Sequence, residues 1–147
     1  MLRDGCNKDL KAIVAMSREF WQHTQFKDEE FQPEMVEGMA LKSMDDKLCL
    51  VYEVDNSVIG FICGIKGCLL ANGNIAVGSE IAWWVDPKHR DSGAGLKLLK
   101  GIERRAKSLG IKYWSMIYMQ SSMPENIKRI YDKMGYELSE SLHTKVL

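Results

Sequence analysis

One stretch, residues 80–96, constrains the fold of this chain more than any other. It reads Glu-Ile-Ala-Trp-Trp-Val-Asp-Pro-Lys-His-Arg-Asp-Ser-Gly-Ala-Gly-Leu. The apolar first part is typical of a buried strand, and the glycine-containing part opens a long amphipathic segment typical of a helix. Backbone N–H groups at such a helix start lack partners within the helix, and the helix dipole favours negative charge there. The stretch therefore predicts a phosphate-binding turn between a strand and a helix.

Size and charge narrow the range of partners. The chain has 147 residues, enough for a single domain spanning residues 1–147 with a full core. Lys and Arg together number 20, as do Asp and Glu, and this zero net charge argues against a nucleic-acid partner. No apolar run is long enough to span a membrane, and the N-terminus has no apolar signal-peptide core. We therefore expect a cytoplasmic protein without a membrane partner.

The four cysteines lack the spacing of a metal site. Cys63 and Cys68 are the nearest pair, and Cys6 and Cys49 are isolated. Cys49 and Cys63 lie inside apolar, strand-like segments. We expect all four to be reduced and mostly to serve as packing thiols, with no metal bound.

The hydrophobic pattern predicts the order of helices and strands. Helical spacing of apolar residues and the Gln32-Pro33 start signal predict two leading helices, and β-type runs follow. Asp55-Asn56-Ser57 predicts a turn, and Asn72-Gly73 predicts a tight turn between two strands. The elements expected before the glycine-containing loop are helices over residues 8–22 and 33–44, and strands over 48–54, from 58 to as far as 70, and up to 85.

The second half alternates helices with strands. We expect a helix over 93–109 ended by Gly110, a strand over 111–119, a helix over 124–134, and one or two strands within 136–147. Three consecutive strands followed by a crossover helix and another strand indicate a central mixed, mostly antiparallel sheet with helices on both faces. The fold class is therefore mixed α/β.

Two motifs carry a resemblance to a known family. Residues 90–95 read Arg-Asp-Ser-Gly-Ala-Gly, and residues 130–136 read Ile-Tyr-Asp-Lys-Met-Gly-Tyr. With this order of elements, the chain from residue 48 onward resembles the GNAT superfamily of N-acetyltransferases. The resemblance implies a single GNAT-like domain with about six to seven strands, splayed between the strands near 80–86 and 111–119. Its first strand would lie within residues 1–6, which show little strand signal.

The resemblance also implies a site for acetyl-CoA. Backbone N–H groups of the loop would hold the pyrophosphate, and the strand before it would hydrogen-bond the pantetheine. The residues assigned to acetyl-CoA are Trp83, Trp84, Val85, Arg90, Asp91, Ser92, Gly93, Ala94, Gly95 and Leu96. Arg90 either touches the 3′-phosphate or supplies positive potential. Trp83 and Trp84 point to opposite faces; either one of them walls the acceptor pocket, or both are structural.

Two residues are assigned to proton transfer. Amine attack on a thioester requires loss of the amine proton, and Glu80 at the start of the strand is the candidate base. The alternatives are an exposed strand-end carboxylate, no dedicated base, or the weaker candidate His23. Tyr131 matches the family tyrosine that protonates the departing thiolate, the alternative being a packing role. Pro124 stands where the family often has an asparagine.

The implied activity is acetyl-CoA-dependent transfer of an acetyl group to a primary amine of a small molecule or protein, by direct attack in a ternary complex. One alternative is a non-catalytic acetyl-CoA-binding module. Another is a toxin-type acetyltransferase that modifies a host protein or tRNA, with a basic patch at Lys97, Lys100, Arg104 and Lys107. The sequence does not specify the acceptor and leaves a homodimer open.

Overall fold

The computed structural model describes residues 1–121 and 124–147, and these divide into two compact units. The first unit is Met1–Ile117 and the second is Tyr118–Leu147. The elements of the first unit, in chain order, are β1 (Leu2–Asp4), α1 (Leu10–Trp21), α2 (Pro33–Asp45), β2 (Cys49–Val54), β3 (Ser57–Leu69), β4 (Asn72–Val85), α3 (Ala94–Ser108) and β5 (Tyr113–Ser115). Short 3-10 turns at Asn7–Asp9 and Pro87–Ser92 precede α1 and α3.

The strands form one sheet in the order β1-β2-β3-β4-β5. The first four strands are antiparallel to their neighbours, and β5 is parallel to β4. A parallel neighbour requires a crossover connection, which α3 provides. The sheet is therefore mixed and mostly antiparallel, as the sequence predicts.

Each face of the sheet carries its own hydrophobic core. One core lies between the sheet and α3, and the other between the sheet and helices α1 and α2. Fully buried members of the α3-side core are Leu48, Ile62, Ala94, Leu98 and Ile102, and fully buried members of the α1–α2-side core are Ile13, Ala40, Val51, Phe61 and Cys63. Helices therefore cover both faces, which confirms the predicted layering.

One of the two hairpin turns lies where the sequence predicts it, and the other does not. Asp55 and Asn56 both have positive φ, 49° and 61°, and join Val54 to its partner Ser57. This is the pattern of a type I′ turn. The turn predicted at Asn72-Gly73 is wrong by two residues: the chain turns at residues 70–71, and 72–73 already belong to β4. Neither of them has positive φ, so this pair does not form a type I′ turn.

The first strand has almost no sequence signal yet forms a regular pair. Leu2, Arg3 and Asp4 of β1 lie opposite Tyr52, Val51 and Leu50 of β2. With only three residues, β1 is too short for a hydrophobic pattern to reveal it. Its pairing partner, rather than its own composition, specifies it.

The second unit contains one helix, α4 (Pro124–Met134). Gly135 follows with φ of 83°, and the Tyr136 N–H donates to the Tyr131 carbonyl at 3.0 Å, as expected for a glycine-terminated helix. No strand is present within residues 136–147, whose leucines at 138 and 142 are exposed. The described residues therefore hold five strands instead of the expected six to seven, because this segment pairs with no neighbour.

None of the four cysteines forms a disulfide bond. Cys49 and Cys63 are buried opposite each other on β2 and β3, with sulfur atoms 3.6 Å apart, and serve as packing thiols. Cys6 and Cys68 are exposed.

Among the described residues, no helix combines the length and apolarity needed to cross a membrane.

Candidate active site

β4 and β5 form a fork. Their parallel pairing has three rungs, the last of which joins Ser79 to Ser115. β5 ends there, whereas β4 continues to Val85 without a strand partner on that side among the described residues. The prediction that the sheet splays between the strands near 80–86 and 111–119 is thereby confirmed.

β4 carries a bulge at the vertex of the fork. Cys63 of β3 pairs with Ala82, but the next residue, Gly64, pairs with Glu80, so Ile81 is extra. Ile81 and Ala82 both pack against the α1–α2-side core. Because cross-strand partners share a face, the bulge turns Glu80 to the face of Gly64 instead.

The Glu80 carboxyl is buried where the two strands separate. The residue is only 5% exposed, and its Oε2 accepts a hydrogen bond from the Ile117 N–H at 3.3 Å. Burial raises the pKa of Glu80 from 4.5 to about 7, and the Ile117 hydrogen bond opposes part of that rise. The group is therefore not an exposed strand-end carboxylate. With a pKa of about 7, the ionised form that a proton acceptor requires is accessible near neutral pH.

The loop between β4 and α3 presents bare backbone at the helix start. Gly93 has φ of 74°, and no atom of the described residues lies within 4 Å of the place that a Cβ would occupy, so glycine is needed there for backbone conformation. Gly93, the residue just before α3, has no side chain with which to cap the helix. The Ser92 hydroxyl is engaged within the loop, donating to the His89 carbonyl at 2.6 Å and accepting from the Ala94 N–H at 3.3 Å. The N–H groups of Gly95 and Leu96, the next two residues of α3, thus point outward, as at anion-binding helix termini.

Arg90 lies back along the end of β4. Its Nε donates to the Val85 carbonyl at 3.3 Å, and its guanidinium carbon is 4.5 Å from the centre of the Trp84 ring. Trp84 is buried, and its ring also contacts Phe20 and the exposed His23 of the α1 side. The cation–π contact fixes Arg90 at the loop, where its charge adds positive potential.

The neighbouring tryptophan faces the other side of the sheet. Trp83 packs against the α3-side core, whereas Trp84 belongs to the α1–α2-side core. The prediction that the two rings leave opposite faces is confirmed. A Cβ at Gly95 would meet Trp83 at 3.4 Å, so Trp83 lies directly beneath the first turn of α3. Asp91 and Leu96 are exposed on the loop, and Ala94 is buried.

Sequence reasoning missed the residue that anchors β5. The Trp114 ring lies over two glycines, Gly78 of the adjacent strand β4 and Gly64 of β3 beyond it. A Cβ at Gly64 would be 2.4 Å from the ring, and one at Gly78 would be 2.8 Å away. The indole Nε1 donates to the Met116 sulfur at 3.1 Å. A signal was present, since an isolated glycine inside a strand often marks a close approach.

Tyr131 belongs to the second unit, on α4. It is buried, and its ring lies 5.3 Å from that of Tyr136 and 6.1 Å from that of Tyr118. The other assigned residues lie on the continuous β4–loop–α3 segment of the first unit, residues 80–96. In the described part of the chain, no three His, Cys, Asp or Glu side chains are grouped to hold a metal ion.

The profile of the acetyltransferase (GNAT) family matches residues 10–136. This chain belongs to the GNAT acetyltransferase family. The matched region includes the fork, the loop and α4, so membership supports acetyl transfer as the general activity and acetyl-CoA as the family's donor. No curated protein matches this GNAT acetyltransferase in sequence.

Solved structures share the fold. A transcriptional regulator from Bacillus halodurans C-125 is 17% identical with a TM-score of 0.76, covering 100% of this chain and 99% of its own. Ribosomal-protein-alanine N-acetyltransferase from Brucella melitensis biovar Abortus 2308 is 15% identical with a TM-score of 0.72, covering 100% and 98%. An aminoglycoside 6′-N-acetyltransferase from Acinetobacter haemolyticus is 14% identical with a TM-score of 0.72, covering 100% and 97%. At these identities the likeness establishes the fold of this GNAT acetyltransferase.

Proposed function

We propose that this GNAT protein is an acetyl-CoA-dependent N-acetyltransferase whose acceptor is a primary amine of a small molecule or a protein. The amine attacks the thioester directly in a ternary complex. The observation that carries the proposal is the fork between β4 and β5, with a buried carboxyl at its vertex and a helix start preceded by glycine at the other end of β4.

The loop fits a pyrophosphate. Gly93 leaves the space above the backbone open and has no side chain with which to cap α3. The N–H groups of Gly95 and Leu96 would bind phosphate oxygens, and the helix dipole would add to the attraction. Arg90 contributes positive potential from its position on Trp84.

The side of β4 that faces the fork fits an extended amide chain. Backbone groups between the bulge at Ile81 and Val85 face the open fork, where a pantetheine arm can pair as a strand would. Acetyl-CoA supplies an acetyl group activated as a thioester. With its phosphates held at the loop, its thioester end would lie towards Glu80, about 17 Å away along the strand.

Glu80 is proposed to accept the proton of the amine. A primary amine with a pKa near 10.4 is only about one part in 10³ free base at neutral pH, so removal of its proton assists attack. Burial brings the pKa of Glu80 to about 7, close to the value that suits a base at neutral pH. Proton transfer would run directly or through a water molecule.

Tyr131 is proposed to protonate the departing thiolate. Tyrosine has an ordinary pKa near 10, so its hydroxyl carries a proton at neutral pH and can donate it. The assignment rests on the match of residues 130–136 to the family element.

Two structural neighbours carry N-acetyltransferase names, one for a ribosomal-protein alanine and one for an aminoglycoside, which favours an amine acceptor for this fold.

A matched pair of glycine variants tests the proposal. Gly93 and Gly110 flank α3, both have positive φ of 74° and 75°, and neither has an atom within 4 Å of a Cβ position. Gly93→Ala and Gly110→Ala should therefore cost similar stability, roughly 1–2 kcal/mol. We expect only Gly93→Ala to lose acetyl-CoA binding, because only its methyl group lies over the phosphate loop.

The readouts are thermal shift and thiol release. Acetyl-CoA at 100 times its Kd should stabilise the wild type and Gly110→Ala by about 2.7 kcal/mol, or roughly 5–10 °C in Tm. Absence of any shift in the wild type would refute the proposal. Binding without thiol release across primary amines, aminoglycosides and basic peptides would instead support a non-catalytic acetyl-CoA-binding module.

A further inference from the structure

The vertex of the fork is held by one aromatic side chain. β5 has only three residues, and Trp114 is the central one, opposite Gly78. Its indole spreads across β4 onto β3, where it reaches Gly64. The two glycines let the ring lie flat against the backbone of both strands. Any other residue would place a Cβ in collision with the ring.

The segment after Trp114 is fixed from the same point. Its indole N–H donates to the Met116 sulfur, and both side chains pack against the α3-side core. The next residue, Ile117, donates its N–H to the buried Glu80 carboxyl. Trp114 therefore lies three residues before the residue that bonds Glu80, in a segment that its own hydrogen bond to Met116 helps to hold.

We propose that Trp114, seated on Gly64 and Gly78, fixes the vertex of the fork and thereby restricts the donor to short acyl thioesters. This inference rests on the proposed function, because it takes the acyl end of the donor to lie at the vertex. A longer acyl chain would have to extend past the last strand pair, Ser79 and Ser115, into the space that Trp114 holds closed.

Trp114 acts on donor selectivity as a positioning residue, not as a catalytic one. Trp114 carries no group that takes part in proton transfer, and the short distances from an added Cβ show that its ring lies directly against both glycines. Two changes should open the vertex from opposite sides. Trp114→Ala removes the ring, and Gly78→Ala lifts it by placing a methyl group 2.8 Å from two ring carbons.

Binding of acetyl-CoA and butyryl-CoA, measured by calorimetry, tests the inference without knowledge of the acceptor. We expect wild type to bind butyryl-CoA at least about tenfold more weakly than acetyl-CoA. Trp114→Ala and Gly78→Ala should reduce this ratio to about threefold or less. A purely structural role would weaken both ligands equally and leave the ratio unchanged.

The control is Gly67→Ala, on the same hairpin as Gly64, where a Cβ meets no atom within 4 Å. It should keep the wild-type ratio. If Trp114→Ala fails to fold, the conservative Trp114→Phe and Gly78→Ala carry the test, with folding checked by circular dichroism. The inference would be overturned by folded variants that bind acetyl-CoA and butyryl-CoA with the same ratio of affinities as wild type. A wild type that binds neither donor would instead overturn the proposed function and this inference with it.

Discussion

The buried carboxyl of Glu80 should make the stability of this protein depend on pH in a way that one substitution removes. Glu80→Gln keeps the size of the side chain and an oxygen that can accept the Ile117 N–H. It removes only the ability to ionise. Any pH-dependent difference between the two proteins therefore measures the cost of ionising that one group in its buried position.

The size of the effect follows from the pKa. Burial raises the pKa of Glu80 from 4.5 to about 7, and each unit corresponds to 1.36 kcal/mol. The folded protein binds the proton more tightly than the unfolded chain, so this contribution is fully present below about pH 4.5 and is lost as pH rises through about 7. Relative to wild type, Glu80→Gln should thus gain about 3 kcal/mol between pH 4.5 and pH 8.

Urea unfolding of both proteins at half-unit steps from pH 4.5 to 8.5 measures the difference directly. At the alkaline end, Glu80→Gln should also melt roughly 6–12 °C higher than wild type, a difference that disappears at the acidic end. Glu37→Gln, at an exposed position of α2, is the matched control and should show no such trend. A constant difference between wild type and Glu80→Gln across the range would refute the buried, ionisable carboxyl at the vertex.

Two further substitutions test other assigned or structural residues. Tyr131→Phe should lower kcat roughly 10²-fold in steady-state assays while the Kd of acetyl-CoA stays within about twofold, and equal turnover would remove Tyr131 from the mechanism. Tyr113→Phe, on an exposed tyrosine, is its control. Arg3→Met should destabilise the protein by roughly 1–3 kcal/mol at pH 7, because the Arg3 guanidinium bonds Asp9 at 2.7 and 2.8 Å. Those bonds lower the pKa of Asp9 from 3.8 to about 2, so the loss seen in urea titrations should shrink as pH falls below about 4, and a constant loss would contradict it.

Local patterns predict the elements that carry their own signal. The apolar stripe of α3, the glycine at its start and the strand before it lie where periodicity and turn chemistry place them, within a residue or two. Asn72-Gly73 favours a hairpin turn because that pair often forms type I′ turns, but the pair with positive φ is Asp55-Asn56. The second turn lies two residues earlier than its dipeptide predicts, because the pairing of Leu69 with Asn72 places it at residues 70–71.

Long-range geometry lies beyond what the sequence pattern predicts. Glu80 stands out by its place on the strand, but its burial and its bond to Ile117 depend on contacts 37 residues apart. The same holds for Trp114, whose seat joins Gly64 and Gly78 from two strands. Such relations follow from the bulge at Ile81, and a bulge is set by pairing between strands, which a single strand's pattern does not encode.

The bulge explains why a costly carboxyl can sit at the vertex. If Ile81 were an ordinary strand residue instead of a bulge, alternation from Ala82 through Ile81 would turn Glu80 to the face of the α1–α2-side core. With it, the side chain shares the face of Gly64, within reach of the backbone where β5 departs. Burial there sacrifices about 3 kcal/mol of stability at alkaline pH, yet it is the same burial that gives the carboxyl a pKa near neutrality. In this fold the stability cost and the proposed proton-accepting role of Glu80 therefore have one physical origin.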